Sequence, residues 1–499
     1  MLKKPFKRFF LFHAKKQNMK KQIKHEVHSS GLLTKLGLYT AILIVISSMI
    51  GSGVFKKAAP MSLDLESGGL ILLCWIIAGI VTLIGATTNA EIAGLIAAPG
   101  GQYVYFKEMY GKAFAFIYGW SCFSVIQSAS IASIAYVFAE SVNAVIPLPH
   151  LSDSMEQITL LGIFNPFASF GVKGLTILTI IFLSTANYLG VIFGGYINNI
   201  FTTLKVIGIL VIIFLGLTLS DGAVSNLSPL GASPTAQYGT SLGLFGAMFA
   251  AMLGAFWAYD GWNNIGYLGG EIKNPKRNIP LALFIGVGVV MAIYLLINFV
   301  YLYVMPVNEM MEIANRENTI IAVEVMRKFI GNGGAFFISI LIMISTFGTT
   351  NGTILASSRI YFAMAKDNLF FKSAGNIHPK FKTPYTSLIM QGIWASLLVL
   401  SGTFDQLTDM LIFASFIFYG AGAFGVFILR KKMKDSHRPY KAIGYPIIPL
   451  IFVLFCITLV VVTIIQNPRD AGIGLVLVFS GIPFYLFWNR KENLTKISK

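Results

Sequence analysis

The sequence predicts an all-α polytopic membrane protein of twelve helices, and three observations carry that prediction. Hydrophobic residues make up 55% of the 499-residue chain and charged residues only 12%, about half the ~25% usual in soluble domains. Apolar runs near the ~20 residues that cross a bilayer recur at about 37–63, 70–97, 113–146, 172–191, 195–219, 241–271, 279–304, 332–365, 385–402, 405–430, 444–465 and 471–489. Lys and Arg gather in the tails and in alternate loops, so both termini are expected on the cytoplasmic side, in keeping with an even number of spans.

Residues 1–35 hold ten Lys or Arg and a single acid, Glu26, with Phe6, Phe9, Phe10 and Phe12 interleaved. Such a tail fixes topology, and it could also lie on an anionic inner leaflet. The basic start runs on past Lys35 and the first apolar run lacks a small-residue cleavage site, so span one is expected to be an uncleaved anchor. Met19 is an alternative start, because the sequence after it still supplies a basic flank. The formal charge of +17 does not signal nucleic acid, which needs a basic folded surface rather than charged tails and loops. All three cysteines, Cys74, Cys122 and Cys456, fall in apolar runs, which speaks against a disulfide framework.

In span one, Gly51-Ser52-Gly53 interrupts the apolar run. Two glycines around a serine free the backbone, and a helix restarting near Val54 leaves N–H groups ready for a carboxylate. The same three small residues would also suit close helix packing. Span six carries the matching interruption, Trp257-Ala258-Tyr259-Asp260-Gly261-Trp262. Asp260 costs about 2.5–3.5 kcal/mol at a helix centre, and polar residues with loosened backbone survive at that depth only around a protein-enclosed cavity. Two such breaks in corresponding places of two halves point to a secondary transporter's binding site. Spans one to five are an odd-numbered set, so a repeat in spans six to ten enters the membrane inverted. The expected division is a basic tail at 1–35, one repeat at 36–219, a second at 241–430, two further helices at 442–490 and a cytoplasmic tail at 491–499.

Few other ionisable groups are noted at membrane depth: Glu91 near the end of span two, Lys205 in span five, and Asp405 and Asp409 at the start of span ten. All six histidines lie in tails or loops, so neither a proton relay nor a metal-ligand cluster is expected. No Walker loop is present, no cofactor is implied, and no nucleophile and base share one depth, so an enzyme is not expected.

Several stretches together resemble the amino acid–polyamine–organocation superfamily, and within it the permeases close to the L-type exchangers. They are Met49-Ile50-Gly51-Ser52-Gly53-Val54-Phe55, Pro99-Gly100-Gly101-Gln102-Tyr103-Val104-Tyr105, Tyr259-Asp260-Gly261-Trp262-Asn263 through Pro280, and Phe347-Gly348 through Asn351-Gly352 and Arg359 to Lys382-Thr383-Pro384. The resemblance implies a LeuT-like fold, a five-plus-five inverted repeat with two extra helices, that moves an L-amino acid by alternating access. On that resemblance the backbone at Ser52 and Gly53 holds the substrate carboxylate, the span-six carbonyls around Trp257, Ala258 and Tyr259 receive its ammonium, and Ile50, Gly51 and Gly261 are further substrate-binding positions. A helix N-terminus favours an anion and a C-terminal end a cation, so a zwitterion suits the gap. Trp257 stands where relatives place an aromatic that closes over substrate. Asp260 either fastens the break or titrates. The resemblance further implies that Lys205 takes the place of a sodium ion bridging spans one, five and eight, with carbonyls of the span-one break and the hydroxyls of Ser345 and Thr346 as partners. The loop from Pro147 to Gly171 lacks the cysteine by which eukaryotic relatives join a glycoprotein, so no disulfide-linked heavy chain is expected.

These readings lead to a sodium-independent carrier of neutral L-amino acids in the cell (inner) membrane, an exchanger in the first instance. The alternatives are a proton-coupled symporter using Asp260 or Lys205, and a non-transporting amino acid receptor on the same scaffold.

Overall fold

The computed structural model describes residues 36–96, 100–160, 165–189, 195–231, 242–316, 318–381 and 383–497. The basic tail at 1–35, Pro99, residues 190–194 of the turn before span five, Lys382 and the last two residues of the chain lie outside the described residues. The membrane face from which span one starts is called the near face, and the opposite one the far face.

Span one runs Leu38–Met49, breaks, and resumes as Gly53–Lys56 and Ala58–Leu65. Span two is Gly68–Leu95, its first turn capped by the Ser67 hydroxyl accepting from the Leu70 N–H at 3.2 Å. A short helix, Gln102–Tyr110, precedes span three, which runs Lys112–Ser121, passes through a π-turn at Cys122–Ile126 and continues as Gln127–Asn143. Spans four and five are Phe170–Tyr188 and Gly195–Leu219. Span six is Gly243–Tyr259 followed, after the break, by a 3₁₀ segment at Trp262–Leu268. Span seven is Pro275–Val304, and two far-face helices, Val307–Ala314 and Ile321–Ile330, connect it to span eight, Asn332–Lys366. Spans nine to eleven are Tyr385–Ser401, Phe404–Lys432 and Ile447–Gln466. Span twelve joins Pro468–Phe479 to Gly481–Ile497.

Ten of these spans are long and apolar enough to cross a bilayer as they stand. The other two are shorter for identifiable reasons. The break divides span one, and the 17 residues of span nine reach only about 26 Å at 1.5 Å per residue, the lower limit for crossing.

The packing separates two groups. Spans one, two, six and seven pack on one another, as do spans three, four, eight and nine. Span one also meets span six, two meets seven, three meets eight and four meets nine, the pairing expected of an inverted repeat. Span three is the most enclosed, with 89% of its apolar window buried against 22% for span twelve. Large apolar side chains such as Leu178, Phe182, Leu454 and Ile457 face outward, as a lipid-facing belt requires.

The near-face ends of the two broken helices are joined by backbone alone. The Leu36 N–H donates to the Glu271 carbonyl at 3.0 Å, and the Lys273 N–H to the Leu36 carbonyl at 2.8 Å.

Candidate functional site

The helix of span one stops because Ile50 leaves the helical region at ψ 87, and the chain passes through Gly51 and Ser52 before Gly53 restarts it. Among the described residues no acceptor is found for the N–H groups of Ser52, Gly53 or Val54, so three donors point away from the helix that follows. In span six Asp260 is extended and Gly261 is left-handed at φ +94, a conformation that favours glycine. A side chain at Gly261 would also place its Cβ 2.4 Å from the Ser48 carbonyl oxygen.

The breaks touch. A Cβ on Gly53 would lie 2.6 Å from the Ala258 Cα, so Gly53 serves close packing as well as opening the helix. Gly51, with nothing nearer than 3.6 Å, is not constrained in that way. Tyr294 of span seven donates its hydroxyl to the Met49 carbonyl at 2.8 Å and to the Ala258 carbonyl at 3.0 Å, which pins both breaks together.

Between the breaks lies a small cavity lined mainly by polar groups. Span one contributes Gly51, Ser52 and Gly53, span six Trp257, Asp260, Gly261 and Asn264. Gln127, Ser130 and Ile134 of span three and Thr353 of span eight complete the wall. Among the described residues the Ser52 Oγ, Trp257 Nε1 and Asn264 Oδ1, buried on this wall, find no hydrogen-bond partner. Buried polar groups are rarely left so, and three around one cavity mark a place for a polar ligand.

The cavity is closed on both sides. Toward the far face the Trp257 ring meets Phe404 edge-on at 6.2 Å, and over Phe404 sit the ammonium groups of Lys56 and Lys57 at 4.6 and 4.9 Å. Lys56 pairs with Glu140 of span three at 2.5 Å; Lys57 pairs with Asp405 of span ten at 2.6 Å and with Thr408 at 2.7 Å. Toward the near face Tyr118 and Tyr267 share a hydrogen bond at 2.6 Å, and Asn263 donates to Gln102 at 3.2 Å.

The residues singled out from the sequence come together with one correction, at Thr346. Lys205, only 1% exposed, donates to the Ile50 carbonyl at 2.8 Å, the Ser47 carbonyl at 3.1 Å and the Thr349 hydroxyl at 3.0 Å. Ser345 stands 3.5 Å from the Ile50 oxygen, but Thr346 turns back to the Ile342 carbonyl and is not part of the tie. Residues 345 and 349 are one turn apart on the same helix face, whereas 346 is rotated by about 100°. The Tyr259 ring packs on Trp75 and Tyr294 at 5.8 and 5.0 Å, away from the cavity, in keeping with an assignment to the site through its carbonyl. Only its backbone can serve the site. Asp260 lines the cavity and accepts from the Tyr419 hydroxyl of span ten, a contact that fastens the span-six break to span ten.

Sequence reasoning missed Lys56, Lys57 and Glu140, although two adjacent lysines straight after a helix break were a visible signal. Tyr294, Tyr419 and Thr349 carried no such signal, because nothing distinguishes them from the other tyrosines and threonines of apolar spans.

Paired helix breaks around a polar cavity, in a bundle whose spans pair as an inverted repeat, define a secondary carrier of LeuT-like fold with twelve membrane helices. The family comparison agrees: the amino acid permease model matches residues 36–485, and the chain belongs to that family. It is 31% identical over 465 residues to the serine/threonine exchanger SteT of Bacillus subtilis (strain 168), covering 93% of this chain and 98% of the relative. It is likewise 31% identical to the human b(0,+)-type amino acid transporter 1, over 93% of this chain and 89% of that one. To the human large neutral amino acids transporter small subunit 2 it is 30% identical, over 92% and 82%.

Proposed function

We propose that this protein exchanges neutral L-amino acids across the cell membrane without sodium, with its near face and both termini cytoplasmic. The observation that carries the reading is the tie made by Lys205. Its three donors meet two carbonyls and a hydroxyl, a set of hard oxygens that would otherwise suit a sodium ion, so the position is already filled. In the site the free N–H groups at Ser52, Gly53 and Val54 receive the substrate carboxylate, and the carbonyl end of span six, at Trp257 and Tyr259, receives its ammonium. The Ala258 carbonyl is engaged by Tyr294 and contributes less.

The small cavity and its walls of Ser52, Gln127, Ser130, Asn264 and Thr353 favour a small, polar, uncharged side chain. The serine/threonine and large-neutral carriers among its relatives are consistent with neutral substrates. All three cysteines are buried within helices, which supports a carrier that works without a disulfide-linked partner.

The test is efflux of preloaded, labelled L-serine from proteoliposomes, with and without a panel of external amino acids, in sodium and in choline. Efflux should rise several-fold with small neutral amino acids outside and be equal in the two salts. Sodium-dependent efflux would overturn the coupling assignment, and binding without flux would make the protein a receptor.

A further inference from the structure

Span three is not a continuous α-helix. At Cys122–Ile126 it forms a π-turn, which absorbs one extra residue and is seldom kept without a local reason. Three carbonyls of this turn have side-chain caps. The Cys122 carbonyl accepts from the Tyr361 hydroxyl of span eight at 3.2 Å, the Phe123 carbonyl from the Ser128 hydroxyl at 2.6 Å, and the Ser124 carbonyl from the Trp394 indole N–H of span nine at 2.8 Å. Spans eight and nine thus hold the turn from the side away from the cavity.

The turn changes what span three shows to span six. Below it, Tyr118 bonds Tyr267 of span six at 2.6 Å; above it, Gln127, Ser130 and Ile134, spaced as one helix face, line the cavity beside Asp260 and Asn264. In an unbroken α-helix at about 100° per residue, Tyr118 and Gln127 would project about 180° apart. With one residue absorbed in the π-turn the angle falls to about 80°, and both side chains address the same neighbour.

We propose that the π-turn sets the register of the substrate-facing half of span three, and that Trp394 and Tyr361 are positioning residues for side-chain selectivity. Neither touches the cavity. They act through the carbonyls they cap, which fix the rotation of Gln127 and Ser130. The proposal rests on the reading of this cavity as the substrate site.

The experiment measures exchange kinetics in proteoliposomes for L-serine, L-alanine, L-leucine and L-phenylalanine, normalised to folded carrier. Tyr361→Phe keeps the ring and removes the donor; Trp394→Phe removes the donor and leaves a smaller aromatic ring, a volume change that the Trp120→Phe control shares. Each is expected to change KM by about three- to tenfold, the scale of one lost hydrogen bond, with different factors for small and large substrates and a maximal rate within about twofold of the parent. Trp120→Phe is the control, since its indole N–H caps the Ser480 hydroxyl and no carbonyl of the π-turn, and its substrate profile should match the parent. Gln127→Ala tests the cavity itself and should alter the same ratios. Parental KM ratios in both Trp394→Phe and Tyr361→Phe, alongside altered ratios in Gln127→Ala, would overturn the positioning role alone. Parental ratios in Gln127→Ala would overturn the cavity assignment and this proposal with it.

Discussion

The break in span one is held by lysine on both sides, but the two sides are built differently. Toward the near face, Lys205 meets only neutral oxygens and is sealed from water. Toward the far face, Lys56 and Lys57 meet carboxylates on spans three and ten, and Asp405 and Asp409 are 46% and 35% exposed. An ammonium among fixed dipoles with no route to water behaves as a permanent strut. Of the far-face pairs, those of Lys57 lie at a wet edge where the carboxylates can be rehydrated, so they are suited to breaking whenever the site opens to that side, whereas the Lys56–Glu140 pair is buried. The contrast teaches that charge at membrane depth does two jobs here, one static and one cyclic, and that partner chemistry tells them apart.

The largest expected effect comes from removing the strut. Lys205→Ala leaves two carbonyls and a hydroxyl without their donor, each at about 1–3 kcal/mol. Exchange in proteoliposomes should fall to background, and normal exchange by folded Lys205→Ala protein would remove the strut from the comparison. Glu140→Gln comes next, because it strands the Lys56 ammonium against a carboxylate site that is 1% exposed, and breaking a buried pair costs about 3–5 kcal/mol. Melting temperature should drop and exchange should fall at least about tenfold on that scale. Adding Lys56→Met should recover much of the melting temperature without recovering exchange. A double variant as unstable as the single one would show that the pair is not the unit involved.

Gly53→Val presses a branched side chain into the Ala258 backbone, at about 1–3 kcal/mol of overpacking, and should abolish exchange, whereas Gly51→Ala should fold and exchange within about twofold of the parent. Equal effects at the two glycines would erase the distinction between close packing and an open turn. Asp405→Asn should be milder than Glu140→Gln, since Lys57 keeps Thr408 and has Asp409 at 3.5 Å. A larger loss of exchange at Asp405 than at Glu140 would reverse the assigned order of the far-face pairs.

Asp260→Asn is expected to have the smallest effect, because an amide oxygen can still accept from Tyr419. The pH profile of exchange should match that of the parent. If it became flat without loss of folded protein, Asp260 would be a coupling group and proton symport would replace exchange.

The sequence by itself determined the number of spans, both helix breaks and the presence of a lysine, Lys205, within span five. Each depends on local properties: apolar length, glycine at a point where the helix must open, and the cost of a charge in hydrocarbon. Tertiary structure alone decided which oxygens take the Lys205 ammonium, because whether Thr346 or Thr349 faces it depends on the rotation of span eight against span one. The same holds for the adjacent pair Lys56 and Lys57, whose carboxylates lie 84 and 348 residues away along the chain. The π-turn in span three was equally out of reach, since Cys-Phe-Ser-Val-Ile carries no signature of a widened turn. Two of its three carbonyl caps, from Tyr361 and Trp394, come from other helices and exist only when those helices pack against span three.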